Sequence, residues 1–180
     1  PASDILLYLS LKDNFLPEEL FLKLKQYSIT LDYSSQNIVQ KSGDYEKHVF
    51  LSNPINEDDD LIKDLEKSIV KHFKFKIKNL HLAAFTCVNT KKPTPHTDKL
   101  MYPNEKHLII YLDGDRKLNA GTGFYEKIKD DAFELNTAVG FYPNRGLIFN
   151  AAGCFHSPLL YTAEGNLPRF SIIIWFQPEK

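Results

Sequence analysis

From Leu80 to Phe176 the chain is cut into short apolar runs separated by Gly, Pro, Asn and Asp: "LHLAAFTCV", "HLIIYL", "GTGFYE", "AFELNTAVGFY", "GLIFNA", "FHSPLLY" and "RFSIIIWF". Short runs at such spacing predict an all-β barrel or sandwich. The last run is the most informative, because side chains alternate between the two faces of a strand. Phe170, Ile172, Ile174 and Phe176 fall on one face and form an apolar wall. Arg169, Ser171, Ile173 and Trp175 fall on the other. Arginine is almost never fully buried unless paired, so this second face either meets solvent or holds an anion. In "HLIIYL" the same alternation sets His107, Ile109 and Tyr111 against Leu108, Ile110 and Leu112.

The first third reads as helical. In "DNFLPEELFLKLKQY", Asp13 and Asn14 are capping candidates and Pro17 stands near a first helical position. Leu20, Leu24 and Tyr27 then recur at helical spacing. "NPINEDDDLIKDLEKSIVKHF" gathers acids at its start and lysines toward its end, as the helix dipole favours. Leu61, Leu65, Ile69 and Phe73 mark its buried stripe. The expectation is a mainly β protein with flanking helices, in one domain over 1–180. Residues 1–79 would be a helical support region, and 80–180 the β core.

Composition excludes several classes. With 43% hydrophobic and 25% charged residues in 180, the chain can bury a real core. A net charge of -1 offers no overall basic surface, so no nucleic-acid partner is expected. No apolar run approaches a membrane span, and no membrane association is expected. The stretch "PASDILLYLSLKDNF" lacks a basic n-region and a small-residue cleavage site, so no signal peptide is expected. The chain opens on Pro1 rather than Met, and a few native residues are expected to be missing. Cys87 and Cys154 are too few for a disulfide framework and suit a cytoplasmic setting.

The candidate chemistry begins at "PTPHTDKLMYP", where Pro93, Pro95 and Pro103 fence His96 and Asp98. Two residues apart on an extended segment, these side chains point the same way and can share one ion. Alone, such a pair also describes a polar turn. A third ligand is needed, and six histidines are available. His48 and His72 suit surface or dipole roles, and His81 and His107 suit bonded structural roles in strands. His156 is different: it opens a late strand, far enough on for antiparallel strands to return the chain to His96. Two histidines and one carboxylate form a facial triad, the open-sided set of non-haem Fe(II) oxygenases. Arg169 adds a guanidinium able to grip a carboxylate bidentately. Ser171, on the same strand face, and Tyr111, from a neighbouring strand, are further donors. Cys154 is expected to be a small buried apolar side chain rather than a ligand. The prolines would stiffen the loop that presents the first two ligands.

The order "HTD" (96–98), "FHSP" (155–158) and "RFS" (169–171) resembles the 2-oxoglutarate- and Fe(II)-dependent oxygenase family, over about half the chain. Within it, "HLIIYLDGD", "GTGFYE", "NRGLIFNAAGCFHSP" and "RFSIIIWF" are similar to the prolyl-4-hydroxylase-like branch, especially the oxygen-sensing prolyl hydroxylases. The resemblance implies a double-stranded β-helix, or jelly roll, flanked by N-terminal helices. It implies Fe(II) on His96, Asp98 and His156, with 2-oxoglutarate and O2 as co-substrates and ascorbate as an optional addition. Arg169, Ser171 and Tyr111 would hold 2-oxoglutarate, Tyr111 through its distal carboxylate, and Trp175 would line the substrate pocket. Asp98 departs from the related halogenases, which carry a small residue there. Trp175 stands where alkylated-base demethylases carry a second arginine. The implied activity is hydroxylation of an unactivated C–H bond, foremost in a prolyl residue of a peptide or protein. The alternatives are a free amino acid or other small molecule, or a jelly-roll protein that binds metal and carboxylates without catalysis. The resemblance is weakest in "TKKPTPHTDKLMYPNEK", where substrate-recognition loops would lie.

Overall fold

The computed structural model describes residues 8–33, 49–89, 94–159 and 168–180. Nine strands and two α-helices follow in chain order: β1 (Leu9–Lys12), α1 (Glu18–Thr30), β2 (Val49–Leu51), α2 (Asp59–Phe73), β3 (Ile77–Val88), β4 (Lys106–Asp113), β5 (Thr122–Lys129), β6 (Ala132–Val139), β7 (Gly146–Asn150), β8 (Phe155–Pro158) and β9 (Arg169–Pro178). A 3-10 turn, Leu118–Ala120, precedes β5. The strands form a six-stranded sheet, β1-β7-β4-β9-β3-β2, and a three-stranded sheet, β6-β5-β8. Every pairing is antiparallel, and the whole is a jelly roll with helices packed on its larger sheet.

Strand alternation explains the layers. The Phe170, Ile172, Ile174 and Phe176 face of β9 joins Leu108, Ile110 and Leu112 of β4 against Leu24 of α1 and Leu65, Ile69 and Phe73 of α2. The opposite faces of β4 and β7, with Ile109, Tyr111, Leu147 and Phe149, pack onto Phe124 of β5 and Val139 of β6. The second cluster lies between the sheets, and the same inward face carries the polar residues of the site.

The second helix follows its sequence signals closely. Asp58 caps it by accepting from the Leu61 amide at 3.1 Å, and Lys74 ends it in the left-handed region at φ 64°. The first helix departs from them. Pro17 takes the N-cap position and no side chain caps the turn. Asp13 instead grips Arg145 through two bonds of 2.7 and 3.0 Å, and Asn14 turns the chain at φ 52°. Leu24 is buried, whereas Tyr27 is half exposed and meets the edge of Phe85. The N-terminal third is also not purely helical: β1 pairs with β7 and β2 with β3. These strands of four and three residues extend both edges of the large sheet, and they are too short to show alternation.

Candidate metal centre and its cavity

A two-residue bridge assembles the centre. The His96 amide donates to the His156 carbonyl at 3.1 Å, and the His156 amide returns the bond to His96 at 3.0 Å. The bridge brings the loop after β3 against β8 and sets the two rings 4.7 Å apart. Asp98 lies two residues along. Ligand atoms of His96, Asp98 and His156 all fall within 4.8 Å of one another, the only such group of three among the described residues. His156 Nε2 is 3.1 Å from one Asp98 oxygen, and His96 Nε2 is 3.5 Å from the other. Pro95 directly precedes this bridge. Pro103 enters a turn completed by Asn104 at φ 58°, and Pro93 and His48 lie outside the described residues.

Tautomers follow from the partners. His96 Nδ1 lies 2.8 Å from the Thr94 carbonyl, and His156 Nδ1 lies 3.1 Å from the Cys154 carbonyl. A carbonyl oxygen only accepts, so each Nδ1 carries the proton. Each Nε2 therefore faces the carboxylate. Two acceptors at such distances repel unless a proton or a cation lies between them. Burial alone would lower the His156 pKa, but the Asp98 charge and the hydrogen bonds to Asp98 and Cys154 raise it to about 10. Burial would likewise raise the Asp98 pKa, but the His156 charge and bonds from His107, His156 and His96 hold it well below the usual range. Two imidazoles with their Nδ1 atoms tied down and one carboxylate beside their Nε2 atoms have the donor chemistry of a divalent transition-metal site.

The triad opens into a cavity whose walls include Ile173, Trp175, Thr122 and Arg169. Arg169 is 5% exposed. Its Nη1 donates to the carbonyls of Gly121 at 2.6 Å and Ala120 at 3.4 Å, and its guanidinium sits 5.3 Å from the Tyr111 ring centre. These neighbours supply carbonyl dipoles and a π face. Gly121 can reach Arg169 because it lacks a side chain: a Cβ there would strike the Val139 carbonyl. Ser171 is fully buried between Thr86 and Tyr111 in the sheet, and its Oγ has no hydrogen-bond partner among the described residues. Tyr111 is fully buried too, but its hydroxyl bonds Thr122 Oγ1 at 2.6 Å, and Thr122 rather than Tyr111 lines the cavity. Trp175 lines the cavity and stacks on His107, with centroids 4.4 Å apart and planes 3° apart. Cys154 is buried among apolar neighbours.

Sequence reasoning passed over Glu105. It is 1% exposed and accepts four hydrogen bonds. His81 Nδ1 and His107 Nε2 each meet Oε1 at 2.8 Å, and the amides of Met101 and Tyr102 meet Oε2 at 3.0 and 3.1 Å. The signal available was alternation: Glu105 shares a face with His107, Ile109 and Tyr111. Burial would raise its pKa, but these donors outweigh burial and bring it to about 2, from an ordinary 4.5. A depressed carboxylate stabilises the fold fully above the unfolded value, and that contribution is lost as pH falls toward the folded one. Glu105→Gln is therefore expected to lower stability at pH 7 and to flatten its decline between about pH 4.5 and 2. Urea unfolding midpoints across that range measure both effects.

No family model matches the chain, and no curated protein resembles it in sequence. Solved structures do. A Trichoplax adhaerens prolyl hydroxylase, in complex with a hypoxia inducible factor oxygen degradation domain peptide fragment, superposes with a TM-score of 0.61 at 14% identity, covering 93% of this chain and 82% of that one. A Burkholderia pseudomallei oxidoreductase of the 2OG-Fe(II) oxygenase family gives 0.59 at 8% identity, covering 97% and 85%. HygX from Streptomyces hygroscopicus, with nickel and 2-oxoglutarate bound, gives 0.61 at 10% identity, covering 94% and 82%. The chain has the fold of the 2-oxoglutarate- and Fe(II)-dependent oxygenases.

Proposed function

We propose that the protein is an Fe(II)- and 2-oxoglutarate-dependent dioxygenase that hydroxylates an unactivated C–H bond. One observation carries the proposal: two Nδ1-anchored imidazoles and one carboxylate converge in a cavity that also holds a buried arginine. His96, Asp98 and His156 would hold the metal and leave positions for co-substrates. The metal with 2-oxoglutarate and O2 supplies an oxidant strong enough for a C–H bond, giving succinate and carbon dioxide. The chain's own part is positional. Arg169 binds and orients the far carboxylate of 2-oxoglutarate, its Nη1 fixed by the carbonyls of Ala120 and Gly121. Tyr111 is the further donor for this carboxylate, with its hydroxyl 2.6 Å from Oγ1 of Thr122 at the cavity wall. Ser171, fully buried two residues along β9 from Arg169, is a second donor in this reading. Ile173, Val49 and Leu51 exclude water from the reacting centre.

The substrate we favour is a prolyl residue in a peptide or protein, supported by the fold shared with the peptide-bound Trichoplax adhaerens enzyme. The second reading is a free amino acid or other small molecule. The test is 2-oxoglutarate turnover to succinate with Fe(II), against a panel of proline-containing peptides and of free metabolites. Stimulation by peptides alone is the expected result. Stimulation by metabolites alone would contradict the prolyl assignment, and binding without turnover on any of them would leave a carboxylate-binding protein.

A further inference from the structure

Behind the candidate ligands runs a buried polar chain with no part in the chemistry assigned so far. His107 Nδ1 lies 3.1 Å from Asp98 Oδ2, the oxygen that also faces His156. The other ring nitrogen lies 2.8 Å from Glu105 Oε1, which His81 Nδ1 meets from the far side, also at 2.8 Å. The order Asp98–His107–Glu105–His81 thus joins the loop after β3, strand β4 and strand β3. His107 is 1% exposed and Glu105 is 1% exposed, and Trp175 covers the His107 ring face to face while meeting His81 edge-on at 5.3 Å. Each ring nitrogen of His107 has a carboxylate oxygen as partner, so its rotation is determined from both ends. Glu105 is itself immobilised by the amides of Met101 and Tyr102.

We propose that His107, held by Glu105 and stacked under Trp175, is the positioning residue that sets the rotation of the Asp98 carboxylate for metal binding. The inference rests on the metal assignment of the preceding section. Neither His107 nor Glu105 is a ligand in it: His107 acts through Asp98, and Glu105 acts through His107. Partners of ligating carboxylates and imidazoles commonly govern metal affinity by about 10–100-fold.

The test is Co(II) binding to the full chain, without 2-oxoglutarate or substrate, followed by the cobalt visible absorption. His107→Phe keeps a ring against Trp175 and removes both hydrogen bonds. Its expected effect is about 10–100-fold weaker Co(II) binding with a changed band shape. Glu105→Gln, the milder variant should His107→Phe fail to fold, is expected to weaken binding about tenfold. The double variant should bind no more weakly than His107→Phe, because the two act in series. Leu108→Ala, on the helix-facing side of the same strand, controls for lost stability and should stay within about twofold of the native chain. Native-like Co(II) affinity in both His107→Phe and Glu105→Gln would overturn the positioning role and leave the metal assignment standing. Equal weakening by Leu108→Ala would overturn it too, as mere destabilisation. A native chain that binds no Co(II) would overturn both assignments.

Discussion

Replacing His156 with alanine is expected to abolish metal loading and to cut 2-oxoglutarate turnover by at least about a thousandfold. A bound metal ion contributes several kcal/mol to such a reaction, and each 1.36 kcal/mol is a factor of ten. The loss follows from how His156 is built in. Its Nδ1 is tied to Cys154, its main chain is bridged to His96, and its Nε2 faces Asp98. Alanine keeps the main-chain bridge while removing the ring, so a folding control separates loss of fold from loss of chemistry. Metal content after reconstitution, with circular dichroism as the control for folding, checks this. A folded His156→Ala protein with native iron content and turnover would refute the triad.

The second large effect is expected at Arg169. Arg169→Ala should weaken 2-oxoglutarate binding by about 30- to 4,000-fold, since removing one partner of a buried charge pair costs roughly 2–5 kcal/mol. Metal affinity should be nearly unchanged, because Arg169 is not one of the three proposed ligands. Arg169→Lys keeps the charge but loses the planar fork, and should fall between the two. Titration calorimetry with 2-oxoglutarate on Co(II)-loaded protein gives the constants. A shift of less than about threefold in Arg169→Ala would remove Arg169 from the co-substrate site.

Most of the site's skeleton was legible in the chain. The alternation in "RFSIIIWF" separated Phe170, Ile172, Ile174 and Phe176 from Arg169, and β9 turns the first set to the helices and Arg169 to the cavity. The pairing of His96 and Asp98 with a distant histidine also holds in space, because β8 returns beside the loop after β3. What was hidden depends on tertiary partners. Glu105 sits in "YPNEK", which reads as a polar turn, and only His81 and His107 arriving from two strands make it a buried acceptor. The Tyr111 hydroxyl bonds Thr122 Oγ1. Its engagement with Thr122 depends on where β5 starts, which no local pattern marks. Asp13 has the composition of a helix cap, yet Arg145 lies close enough to claim it. The edge strands β1 and β2 span four and three residues, too few for a period of two to stand out.

The central claim is that one metal ion and 2-oxoglutarate meet on His96, Asp98 and His156. Anaerobic titration of the purified chain with Fe(II) and 2-oxoglutarate tests it most directly. Bidentate chelation of the metal by the keto acid produces a weak visible charge-transfer band. This band is expected to appear in the native chain, to saturate at one equivalent, and to be lost in His156→Ala. A folded native chain that never develops it would contradict the claim.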